Sequence, residues 1–206
     1  GVAYRDDPTI LAAYAMARAR MIFFGGEGKA LSEKLALEAA ERAVRFAPHL
    51  GEARLALATV RLHLGDAVTA VREAKLAVQR SPSLAEGHAM LGRILVEAGR
   101  AEEGIRSLTI ALSLDPQTPL AMQDLARTRA LLGEWATVEE LIERALETEN
   151  QAVRSLSRAR MASWRGDVQG ALEHIAAIKE VPGDVAFANI MKEISNQGEN
   201  SGGPQR

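Results

Sequence analysis

Residues 51–84 read GEARLALATVRLHLGDAVTAVREAKLAVQRSPSL, and residues 85–118 read AEGHAMLGRILVEAGRAEEGIRSLTIALSLDPQT. The two stretches have one length and one punctuation. Gly65 and Gly99 hold the same place in each, and so do Pro82 and Pro116. The pattern runs outward in both directions. Pro48, Pro82 and Pro116 are spaced 34 and 34, and Gly65, Gly99, Gly133 and Gly166 are spaced 34, 34 and 33. The offset between the two ladders stays at 17 residues. Half a period therefore holds one helix of about four turns and the turn that follows it. Glycine supplies the left-handed residue that closes a helix. Proline cannot continue a helix and suits the start of the next. The unit is a pair of helices repeated along the chain.

Composition supports an all-α reading. Only 4% of the 206 residues are aromatic, and runs of Val, Ile, Thr and Tyr are missing. Small and straight-chain helix formers dominate. Charged residues make up 25% and apolar residues 47%, which fits a packed globular chain. The net charge of −2 gives nucleic acid no global attraction, so no nucleic-acid partner is expected. Cysteine is absent, which removes disulfides and thiolate chemistry. Apolar runs are short and broken by arginine, so no membrane insertion is expected. No signal peptide is visible, which points to the cytoplasm. The chain begins at Gly1, and a native start further upstream would leave a periplasmic location open.

The 34-residue period resembles the tetratricopeptide repeat. That family carries a small residue at position 8, Gly at 15, Ala at 20, a bulky residue at 24, Ala at 27 and Pro at 32. The repeat from Gly51 supplies Leu57, Ala58, Gly65, Asp66, Ala70, Ala77 and Pro82. The repeat from Ala85 supplies Leu91, Gly92, Gly99, Leu108, Ala111 and Pro116. The repeat from Pro119 has Leu125, Ala126, Gly133, Trp135 and Ala145, with Asn150 where Pro is usual. The repeat from Ala152 has Ala159, Gly166, Asp167, Ala171 and Ile175, then Pro182-Gly183. The first repeat is irregular. Ala36, Ala43 and Pro48 fit its second helix, while its first fits only with about five residues inserted near Gly25–Lys29. The family's aromatics at positions 4 and 11 are absent, and Arg61 and Arg129 stand at position 11.

The resemblance implies a right-handed α-α superhelix of about five helix-turn-helix repeats, at 9–50, 51–84, 85–118, 119–151 and 152–183. One solenoid over residues 1–195 is expected. Val185 or Phe187, Ile190, Met191 and Ile194 form a stripe for a capping helix at 184–195, with Asp184 as its N-cap. Residues 196–206 are polar and Gly-rich and read as a disordered tail. At the other end, Ile10–Met16 and Met21–Phe24 are apolar around most of the helix. That face packs on itself or meets a partner, and a homo-oligomer through this helix is one outcome.

The sequence offers no catalytic constellation. Gly25–Lys29 lacks the spacing, the Ser or Thr and the preceding strand of a phosphate loop. His49, His63, His88 and His174 are scattered. His63 and His88 fall on neighbouring first helices, but a zinc site needs more ligands. Glu102-Glu103 and Glu139-Glu140 read as solvated helix faces. No enzyme activity, cofactor or metal is expected.

In this fold the first helix of each repeat lines the concave side. Position 9 reads Arg20, Thr59, Arg93, Arg127 and Arg160. Four arginines one repeat apart would make a basic stripe able to hold an acidic peptide or protein segment. Local carboxylates offer a structural alternative: Asp124 lies three before Arg127 and Glu97 four after Arg93. Positions 12 and 13 add Phe24 at one end and Trp164 at the other as apolar contacts, or as core. The clamp that grips chaperone C-termini in some family members is absent, since positions 5 and 6 carry Met16-Ala17, Leu55-Ala56 and Ala89-Met90. The function implied is a non-catalytic interaction scaffold. The alternatives are a regulatory segment of a larger bacterial signalling protein, kinase- or cyclase-linked, and a self-assembling adaptor.

Overall fold

A computed structural model of the chain describes residues 6–24, 28–146 and 151–178. Ten α-helices and no strands occupy the described residues. They run α1 (Pro8–Phe24), α2 (Lys29–Phe46), α3 (Gly51–His63), α4 (Ala67–Arg80), α5 (Ala85–Glu97), α6 (Ala101–Leu114), α7 (Pro119–Leu131), α8 (Trp135–Leu146), α9 (Gln151–Trp164) and α10 (Val168–Ala176). The capping helix and the tail lie outside the described residues. The chain divides into two compact units, residues 1–125 and 126–206, described separately below.

The turn inside each pair repeats one geometry. Gly65, Gly99, Gly133 and Gly166 take φ of 82°, 76°, 77° and 77°, which side chains other than glycine rarely adopt. The residue after each glycine donates its N–H five residues back: Asp66 to Arg61, Arg100 to Leu95, Glu134 to Arg129 and Asp167 to Ala162. This closes the helix and satisfies a terminal carbonyl. Asp66 then caps α4 by accepting from the Thr69 N–H at 3.1 Å, and Asp167 caps α10 through the Gly170 N–H at 2.9 Å. In the first repeat Gly28 is also left-handed, with φ 83° immediately before α2.

In the first unit, α1 packs on α2 and α3, α3 on α4 and α5, and α5 on α6. The core is built from small side chains. Ala15, Ala19, Ala36, Ala40 and Ala43 are fully buried with Leu11, Ile22, Ala53, Ala56, Leu57 and Val60 around them. A second cluster joins Ala58, Ala70 and Ala74 to Leu91, Ile94 and Leu95 of the next repeat. No pair buries its own apolar face alone; each repeat completes its neighbour's core. The closest approach is at α5 and α6. A methyl group on Gly92 would stand 2.9 Å from the Gly104 carbonyl oxygen, and one on Gly104 would stand 2.8 Å from that of Gly92.

Polar contacts replace the missing aromatics. At position 4, Arg54 Nε donates to the Pro48 carbonyl at 3.1 Å, and His88 Nε2 donates to the Pro82 carbonyl at 3.0 Å. The same side-chain position thus ties down the same proline in consecutive repeats. At position 11, Arg61 pairs with Glu41 of α2 at 2.7 Å and Asp66 at 3.8 Å. In the second unit, Arg129 pairs with Glu134 at 2.6 Å. That unit also joins α9 to α10 through Leu156, Ala159, Ala162, Ala171 and Ile175.

Candidate functional site

The first unit holds three of the position-9 residues, on α1, α3 and α5. Arg20 lies on α1, exposed, with no ion pair to a described carboxylate. Thr59, the gap in the arginine series, is buried and returns its hydroxyl to the Leu55 carbonyl at 2.9 Å. It presents no donor outward. Arg93 is half-buried and donates from Nε to Asp124 Oδ2 at 2.8 Å. The contact joins α5 to the start of α7, one repeat later. Asp124, three residues before Arg127, accepts from Arg93 of the preceding repeat. The pairing orients the guanidinium while leaving its terminal-nitrogen donors uncommitted.

His63 reaches α1 and lies within the field of Arg93. It occupies position 13 of α3, half-buried, and hydrogen-bonds the backbone of Ala19, the residue before Arg20. Burial is the main cause that holds its imidazole below the ordinary range, and the Arg93 charge adds to it; the Ala19 hydrogen bond acts the other way. His63 is therefore neutral at physiological pH, and the cations on this face are arginines. His63 and His88 engage different backbones, Ala19 and Pro82, which separates the histidines that sequence places on adjacent helices. Among the described residues no cluster of His, Asp and Glu could hold a metal ion.

In the second unit, Arg127 and Arg160 are half-buried and each engages another group of the chain. Trp164 is half-buried at the end of α9. Phe24 ends α1, and its side chain lies outside the described set. Other arginines of this unit serve packing. Arg158 pairs with Glu143 at 3.0 Å. Arg165 pairs with Glu139 and lies over the Trp135 ring, 4.8 Å from its centroid. Sequence reasoning missed the role of His63 and the Arg93–Asp124 bond. The signal was a register one: position 9 of one repeat meets position 6 of the next.

Paired helices, left-handed glycines at the 34-residue period and small-residue interfaces define a tetratricopeptide-repeat fold. Solved structures of that fold superpose on this chain. TTC0263, a thermophilic TPR protein of Thermus thermophilus, does so with a TM-score of 0.71 and 22% identity, over 92% of this chain and 99% of its own. PilW, a widely conserved type IV pilus biogenesis factor, gives 0.68 and 20% over 92% and 86%. YrrB, described as a TPR protein with an unusual peptide-binding site, gives 0.56 and 14% over 97% and 94%. No protein-family model and no curated protein matches the chain in sequence. No described helix is long and apolar enough to cross a membrane.

Proposed function

We propose that this chain is a non-catalytic interaction module that binds an acidic peptide or protein segment along its first helices. The observation that carries this reading is the Arg20–His63–Arg93 arrangement. On α1 Arg20 is exposed and unengaged, and on α5 the guanidinium of Arg93 is held in a fixed orientation by Asp124. Pre-orientation lowers the entropy that a partner's carboxylate must overcome on binding. Arg127 and Arg160 hold the same repeat position in the second unit, and Phe24 and Trp164 are the candidate apolar contacts. The fold shared with PilW and with YrrB, whose peptide-binding site is named as such, supports an interaction role.

The test is anisotropy titration of the full chain with labelled peptides selected for binding from a random library. Arg20→Glu is exposed and should leave the helical signal intact. Arg93→Gln removes charge without placing a second carboxylate beside Asp124. Together they should weaken binding at least about tenfold, the scale of one or two charge-assisted hydrogen bonds. Unchanged affinity, or selected peptides without acidic residues, would discard the reading.

A further inference from the structure

The outer face of α1 is built like an interior surface. Ile10, Tyr14, Ala17 and Met21 fall at i, i+4, i+7 and i+11, within one narrow stripe of the helix. The large members are 44%, 39% and 50% exposed, in chain order Ile10, Tyr14 and Met21. The opposite face, with Leu11, Ala15, Ala19 and Ile22, is buried against the rest of the unit. Aligning Ala19 with Ala58 and Gly92, the small residue at position 8, puts Tyr14, Ala17 and Met21 at positions 3, 6 and 10. In the second repeat those positions are Ala53, Ala56 and Val60, all buried in the cluster shared with α1 and α2. In the third they are Gly87, Met90 and Ile94, and Ile94 is 1% exposed in the cluster shared with α3 and α4. The α1 stripe therefore continues the surface by which each later repeat meets the helix before it.

The stripe is also self-complementary. In an antiparallel pairing about a two-fold axis beside residues 15 and 16, Ile10 faces Met21 of a second copy and Tyr14 faces its Ala17. Each large side chain meets a smaller or a flexible one, which is how helices pack closely. The stripe itself carries no charge. Arg18 lies at its edge, folded over Tyr14 with its guanidinium 5.2 Å from the ring centroid and Nε donating to the tyrosine hydroxyl at 3.0 Å. We infer that α1 is a homodimer interface, closed by antiparallel contact with α1 of a second copy. A stripe about 16 Å long buries far less than the area of a standard stable interface, so the dimer is weak and concentration-dependent. This inference stands apart from the peptide-binding reading and uses none of its arginines.

Sedimentation equilibrium of the full chain tests it. The average mass should rise from the 22.1 kDa of one chain toward twice that value as concentration increases. Ala17→Glu, an exposed and helix-compatible change, should abolish the rise and leave helicity unchanged. A mass fixed at 22.1 kDa up to about 1 mM, or a variant that dimerises like wild type, overturns the interface. The chain lacks cysteine, so engineered thiols report geometry directly. A mixture of Ile10→Cys and Met21→Cys chains should give a covalent dimer with a short bis-maleimide, and Ile10→Cys alone should not. Cross-linking of Ile10→Cys alone at the same rate overturns the antiparallel arrangement.

Discussion

Among the described residues of the first unit Glu73 is the most deeply buried acid, with its side chain 5% exposed. Arg54 meets it at 2.7 Å from α3, and exposed Arg72 approaches its other oxygen at 3.3 Å. A carboxylate in that position is tolerable only while paired. Arg54→Met should therefore cost about 3 kcal/mol, the lower end for breaking a buried pair, because Arg72 keeps part of the charge compensated. Adding Glu73→Leu should return stability to within about 1 kcal/mol of wild type. Urea unfolding monitored by circular dichroism checks both, read as a shift in midpoint at constant slope. The same scale shows what the sequence could and could not convey. Arg61 and Arg129 are visible as departures from the family pattern, because position alone flags them. Their partners are not visible, since Glu41 lies 20 residues before Arg61 and is chosen by the packing of α2 on α3. Arg93 and Asp124 are 31 residues apart and meet through the stacking of repeats, a distance at which charge spacing in sequence carries no information.

At the level of helix pairs, legibility was highest where backbone conformation is forced. The four turn glycines appear in sequence because no other residue takes their φ without strain. The first repeat was harder to read, since its α1 extends to Phe24 and the glycine that turns the chain is Gly28, out of phase with the ladder. The α5–α6 pair adds a constraint of a different kind. Gly92 and Gly104 have ordinary helical φ, so replacing either with alanine should gain about 0.5–1 kcal/mol on propensity alone. Space reverses the sign. The added methyl on Gly104 would meet Val96 Cγ2 at 2.5 Å and the Gly92 carbonyl at 2.8 Å, and backbone cannot step aside cheaply. Gly104→Ala should destabilise the protein by about 2 kcal/mol, in the range for overpacking. Gly87→Ala is the control. Its methyl would rest 3.4 Å from Leu84 and Val78, ordinary contact, and should be neutral or stabilising. Thermal melts should place Gly104→Ala below wild type and Gly87→Ala level with it or above.

Across the whole chain, stability is a sum over repeats and the interfaces between neighbours. That architecture was legible from the period alone, because a repeated spacing survives even where individual motif residues diverge. The placement of the binding residues was less legible. Four arginines share one repeat position, yet Arg20 is open, Arg93 is oriented by Asp124, and Arg127 and Arg160 are engaged by other groups. Equivalent positions acquire different roles from neighbours that the period does not specify. The nearest-neighbour character has a direct consequence for the Gly104→Ala variant. Strain at α5–α6 is felt by elements that share an interface with that pair, among them α3 and α4, and α7 through the Arg93–Asp124 bond. The core joining α9 to α10, around Ala159 and Ala171, includes no residue of that pair. Amide exchange of the variant should show α3 to α6 losing protection together. The exchange free energies of α9 and α10 should stay within about 0.5 kcal/mol of wild type, the scatter expected for distant, independent sites. An equal loss of protection in α9 and α10 would mean that the chain unfolds as a single cooperative body and that local strain is shared along its full length.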